Sequence, residues 1–120
     1  MHIVAKILVA VVALQHLFFL WLEMFAWTTR GPKVFVGFPK DLFGKTKQLA
    51  ANQGLYNGFL AAGLVWSLLI NDPTWSQNVA LFFAGCVIVA GLYGGYSVDK
   101  KIFFVQGIPA LLAVISILTL

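Results

Sequence analysis

The chain has 120 residues, of which 61% are hydrophobic and only 10% charged. A soluble domain is roughly a quarter charged and less than half apolar, so this composition excludes one and fits a single membrane domain over residues 1–120. The formal charge of +4 rests on basic residues in short segments between apolar runs, which is the pattern of membrane topology and not of nucleic-acid binding.

The first apolar run is Ile3–Trp27. Lys6 followed by Ile7–Leu14 imitates the start of a signal peptide, but the run continues past Gln15 and His16 with no small-x-small cleavage site behind it. Its length is that of a membrane span, so it is expected to stay in the mature protein. Residues 28–48 follow as a basic loop in which Pro32 and Pro39 break helix continuity. Within it, Val34–Phe38 and Leu42–Gly44 are apolar and flanked by lysines. Two readings stay open: a shallow interfacial segment, or a basic loop whose aromatics touch lipid.

The second run, Leu49–Ile70, opens on Asn52-Gln53-Gly54-Leu55-Tyr56-Asn57. Three carboxamides and a phenol begin a membrane span poorly unless partners hold them, because an unpaired polar group in hydrocarbon costs several kcal/mol. A turn around Asn71–Thr74 leads into the third run, Trp75–Tyr96, and a tight turn at Ser97–Lys101 leads into the fourth, Ile102–Leu120. Pro109 should kink the fourth run and free the Val105 carbonyl beside Gln106. Runs this long without period-two alternation leave no strand reading. The expected fold is an all-α integral membrane bundle of four transmembrane helices. Gly54, Gly58 and Ala62, and Ala84, Gly91 and Gly95, give its second and third helices small faces for close packing.

Lysine and arginine set the expected orientation. Arg30, Lys33, Lys40, Lys45 and Lys47 lie in the first loop, Lys100 and Lys101 in the third, and none in the second. Seven of the eight basic residues thus fall on one side, which places both termini away from the cytoplasm.

Depth along each run brings out a layer of polar groups. At 1.5 Å per residue, Glu23 lies about 6 Å inside the cytoplasmic end of the first span. Asn52, Gln53, Tyr93 and Gln106 come at a similar level, Tyr56 and Asn57 a turn deeper, and His16 nearer mid-membrane. His16 and Glu23, seven residues apart, share one helix face. An ionisable residue at such depth marks a functional site by default, so Glu23 and His16 are candidate catalytic groups. Asn52, Gln53, Tyr56, Asn57, Tyr93 and Gln106 are candidate ligand-binding groups. Glu23 has no basic residue at its own level, although Arg30 has the reach to snorkel back to it. The competing reading of the carboxamides is interhelical packing. No metal site or cofactor is expected, since no cysteine–histidine ligand set exists.

Several stretches resemble a known family: Trp21-Leu22-Glu23-Met24-Phe25-Ala26-Trp27, then Asn52-Gln53-Gly54-Leu55-Tyr56-Asn57-Gly58-Phe59-Leu60-Ala61-Ala62-Gly63-Leu64, then Ala90-Gly91-Leu92-Tyr93-Gly94, and Gln106-Gly107-Ile108-Pro109-Ala110. Over essentially its whole length the chain resembles the small bacterial membrane proteins grouped as domain of unknown function 1304. The resemblance implies a four-helix integral membrane protein and carries no activity with it.

Three function classes are compatible with these residues. The first is a protein of the cell membrane that binds or converts a small amphiphile or lipid in a polar pocket near the cytoplasmic leaflet. The second is a structural or partner-binding membrane subunit, and the third a small proton-coupled transporter using Glu23. Whether the protein is an enzyme stays open, as no GxSxG elbow, HExxH or phosphate-binding loop supplies a nucleophile, metal or phosphate site. The expected partners are the lipid bilayer, an amphiphilic ligand and a second copy of the chain, with no nucleic acid.

Overall fold

The computed structural model describes all residues from Met1 to Leu120. The chain is helical throughout, without strands. In order come α1 (Ile3–Phe25), two short helices α2 (Gly31–Val34) and α3 (Leu42–Lys45), α4 (Lys47–Leu69) and α5 (Pro73–Ser97). The last stretch comprises α6 (Lys100–Ile102), a π-turn (Phe103–Gly107) and α7 (Ile108–Thr119) without a break. Three stretches are long and apolar enough to cross a membrane: Ile3–Phe25, Pro73–Ser97 and Lys100–Thr119. The fourth long helix, α4, equals α1 at 23 residues, but Lys47, Gln48, Asn52, Gln53 and Asn57 make its first half polar.

Helix ends follow from local chemistry. Asp72 caps α5: its Oδ1 accepts the N–H groups of Thr74 at 2.9 Å and Trp75 at 3.2 Å, while Pro73 occupies a first-turn position where no donor is needed. At the other end of α5, Val98 and Asp99 both donate to the Gly94 carbonyl. Asp99 Oδ1 then accepts from Lys101 N–H at 3.0 Å and starts α6.

The chain forms two compact units, Met1–Leu14 with Leu60–Leu120, and Gln15–Phe59. The core of the first unit joins Ala5, Val9, Val12 and Ala13 of α1 and Leu64 of α4 to Ala80, Ala84 and Val87 of α5 and Ala110, Ala113 and Ile117 of α7. Alanine dominates because, between helices in hydrocarbon, close van der Waals approach replaces the hydrophobic drive. Two buried hydroxyls are satisfied within this unit. Ser76 Oγ donates to the Ser67 carbonyl at 2.7 Å and Ser67 Oγ to the Leu64 carbonyl at 2.6 Å, tying the end of α4 to the start of α5.

Two glycines of this unit meet backbone to backbone. A Cβ at Gly91 would lie 2.9 Å from both Cα and N of Gly107, and one at Gly95 would lie 2.8 Å from Phe103 Cβ. The small stripe expected on the third run therefore receives the π-turn. Pro109 explains why the turn is there. It has no N–H to offer Val105, and directly before it the helix widens so that Ile108 N–H bonds to the Phe103 carbonyl, five residues back. The expected disturbance ahead of Pro109 thus takes the form of a wide turn.

In the second unit, residues 28–48 carry α2 and α3 around a small aromatic core. The Trp27 ring lies 4.9 Å from Phe43, 5.6 Å from Phe35 and 6.0 Å from Phe38, centroid to centroid. Its Nε1–H donates to Thr46 Oγ1 at 3.0 Å, which satisfies the indole where α3 ends. Gly31 is buried because a Cβ there would meet the Phe43 ring at 2.8 Å. The loop aromatics thus fold onto Trp27, while Val36 at the tip and Arg30, Lys33, Lys40, Lys45 and Lys47 stay exposed.

The glycine contact yields a paired prediction. Gly91→Ala forces α5 away from the π-turn and should cost about 1–3 kcal/mol, the usual penalty for overpacking. Gly85→Ala on the same helix meets nothing within 4 Å and should be neutral or slightly stabilising. Thermal unfolding in detergent compares the two; equal melting temperatures would contradict the close approach.

Candidate functional site

Within Gln15–Phe59, α1 and α4 meet where α4 has no side chain. A Cβ at Gly54 would lie 2.8 Å from Met24 Cγ, 3.0 Å from Glu23 Cβ and 3.1 Å from the Leu20 carbonyl oxygen. Gly58, one turn on, faces the Leu20 side chain in the same way. With the backbones this close, Asn57 on the neighbouring stripe of α4 reaches the acid of α1. Its Nδ2 donates to Glu23 Oε1 at 2.5 Å. Both residues are half-buried. The bond engages Oε1 and leaves Oε2 as the second acceptor of the carboxyl group.

Arg30, which has the reach to fold back on Glu23, is exposed instead, and the hydrogen bond of Glu23 comes from Asn57. The other polar groups at the head of α4 divide by stripe. Gln53 precedes Asn57 by one turn on the same stripe and is exposed. Asn52 and Tyr56 lie on the stripe turned away from Gly54. Asn52 Nδ2 bonds to the Gln48 carbonyl of its own helix at 3.1 Å. Tyr56 is exposed, with its ring 6.1 Å from that of Phe59. Glu23 and Asn57 are therefore the candidate residues that the structure joins directly, with Gln53 exposed one turn before Asn57.

His16 is fully buried on α1, with the Phe19 ring edge-on at 5.2 Å. It lies two turns from Glu23, about 10 Å along the helix axis. No three His, Cys, Asp or Glu side chains stand together as a set that could hold a metal ion. Tyr93 and Gln106 belong to the other unit. Tyr93 is exposed on α5, where its carbonyl accepts Ser97 Oγ at 2.7 Å, and Gln106 is half-buried in the π-turn.

Sequence reasoning placed Gly54 on a small face but did not pair Glu23 with Asn57 over the other carboxamides. It also missed the bond from Trp27 to Thr46. The available signal was the spacing of Gly54 and Gly58, which puts Asn57 beside the contact stripe and Asn52 opposite it.

Comparison with known proteins places the chain in a family. The model of the family described as "Protein of unknown function (DUF1304)" matches residues 10–118, which include every candidate site residue. The chain belongs to this family. A relative from Lactococcus lactis subsp. lactis (strain IL1403), named "Uncharacterized protein YpaA", is 32% identical over 118 residues, covering 97% of this chain and 98% of the relative. No solved structure matches the chain.

Asn57→Leu removes the donor and leaves the carboxyl oxygen of Glu23 without its partner, which should cost about 1–3 kcal/mol. Asn52→Leu, on the outward stripe, should stay within about 0.5 kcal/mol of the parent. Detergent unfolding of both variants checks this, and a loss of equal size at Asn52 would count against the assignment of Asn57.

Proposed function

We propose that this is a four-span protein of the cell membrane, with both termini outside the cytoplasm, that binds a small amphiphile through Glu23, Asn57 and Gln53. The observation that carries the reading is the bond from Asn57 to Glu23. An acidic group inside an apolar helix is expensive, and packing alone is served as well by an amide or hydroxyl. An acid held by a carboxamide, with a second acceptor oxygen and the exposed Gln53 one turn before that carboxamide, suits a headgroup that donates hydrogen bonds or carries positive charge. Long-chain amines and alcohols have that chemistry, and their chains would lie in the surrounding hydrocarbon.

Support for four spans comes from α4, whose 23 residues at 1.5 Å each give about 35 Å, enough for the hydrocarbon core. Support for the orientation comes from the seven basic residues of the first and third loops against none in the second. With that orientation the site lies in the cytoplasmic half of the bilayer, one helical turn before Trp27.

The decisive variant is Glu23→Gln. The amide is isosteric and still accepts from Asn57, so stability should hold. It loses the acid, so affinity for a probe such as dodecylamine should fall about ten- to a hundredfold. Trp21 and Trp27 flank Glu23 and report binding by fluorescence in nanodiscs. Unchanged affinity in Glu23→Gln would leave the pair a packing element of a structural subunit.

Topology is tested separately. In a Cys86→Ala background, a membrane-impermeant maleimide applied to intact cells should modify Thr74→Cys and spare Lys33→Cys. The reverse pattern would invert the orientation.

A further inference from the structure

Within the first unit, α5 and the α6–π-turn segment leave an open trough of about 270 Å³ lined by Leu92, Gly95, Lys100, Phe103 and Phe104. Four of these five residues are apolar or without a side chain, and the fifth is a lysine. The trough follows from the features that shape this end of the unit. Gly95 has no side chain, so α5 presents a floor there and Phe103 Cβ packs close above it. The π-turn imposed ahead of Pro109 carries Phe103 and Phe104 on consecutive positions, their rings 5.5 Å apart and edge to face, as one wall. Lys100 is exposed at the start of α6, beside the exposed Lys101. The only carboxylate of this turn, Asp99, is directed to the helix cap through its bond to Lys101 N–H.

We propose that this trough is a binding site for one anionic phospholipid, with an acyl chain between Leu92 and the Phe103–Phe104 wall and the headgroup phosphate on Lys100. Charge complementarity selects the occupant. An apolar trough within a bilayer accepts any acyl chain, but an exposed lysine in its lining favours a headgroup with net negative charge over a zwitterionic one. Another trough of this unit, lined by Trp66, Trp75, Asn78, Val79, Phe82 and Phe83, has no charged residue and makes no such distinction. The Lys100 site shares no residue with Glu23, Asn57 and Gln53, so it stands or falls independently of the amphiphile reading.

Native mass spectrometry of the full chain, with dioleoyl phosphatidylglycerol and dioleoyl phosphatidylcholine in competition, tests the proposal. One phosphatidylglycerol should be retained about fivefold over phosphatidylcholine, the discrimination that one lysine near the surface supplies. Lys100→Gln should bring the ratio to parity and Lys100→Arg should keep it, whereas Lys33→Gln, outside the trough, should leave it unchanged. Phe104→Ala should weaken retention of both lipids. Circular dichroism confirms that each variant is helical. Equal retention by the parent, a preference that survives Lys100→Gln, or an equal loss in Lys33→Gln would overturn the site. Unchanged retention in Phe104→Ala would overturn the acyl placement.

Discussion

Helices surrounded by hydrocarbon gain nothing from hiding apolar surface, so their contacts must come from close backbone approach and from hydrogen bonds. This constraint governs both units of the chain. In Gln15–Phe59 the approach is made at Gly54, where any side chain would run into Glu23, Met24 and the Leu20 carbonyl. The bond from Asn57 to Glu23 is possible because that gap is closed. In the other unit Gly91 lies against the backbone of Gly107, and an alanine-rich core fills the remainder.

The same constraint explains how polar groups are handled. Ser67 and Ser76 are buried and each donates to a backbone carbonyl, so neither hydroxyl is left unsatisfied. Trp27 keeps its indole ring in an aromatic cluster and gives its one donor to Thr46. Asn52 turns back to its own helix. Each of these bonds satisfies a neutral polar group locally. The pair of Glu23 and Asn57 differs because an acid is the costly choice for a task that a neutral group performs. That asymmetry, and not the presence of polarity as such, is the reason binding is proposed at this pair.

The basic segment 28–48 is more than a loop between helices. Phe35, Phe38 and Phe43 gather on Trp27 and give the segment a core of its own. Its lysines and the tip at Val36 remain outside that core. A segment folded in this way begins one helical turn after Glu23 and ends one turn before Asn52, so it holds the ends of α1 and α4 on either side of the acid–amide pair.

How much of this was legible in the residues can be seen at particular positions. The four long helical stretches follow from runs of apolar residues punctuated by Pro32, Pro39, Pro73 and polar turns, because a bilayer sets the required length and an unpaired backbone forces helix. Membership of the family was legible too, in Asn52–Leu64 and Gln106–Ala110. The small stripes at Gly54 and Gly91 were visible as spacings of four. Their partners were not. A stripe states that something approaches closely, but the approaching element is chosen by the packing of distant segments. Only the tertiary structure brought Gly107 to Gly91, folded the loop aromatics around Trp27 and widened the helix before Pro109 into a π-turn. It also decided which carboxamide meets Glu23, because three candidates within six residues differ in sequence by little and in direction by up to half a helical turn.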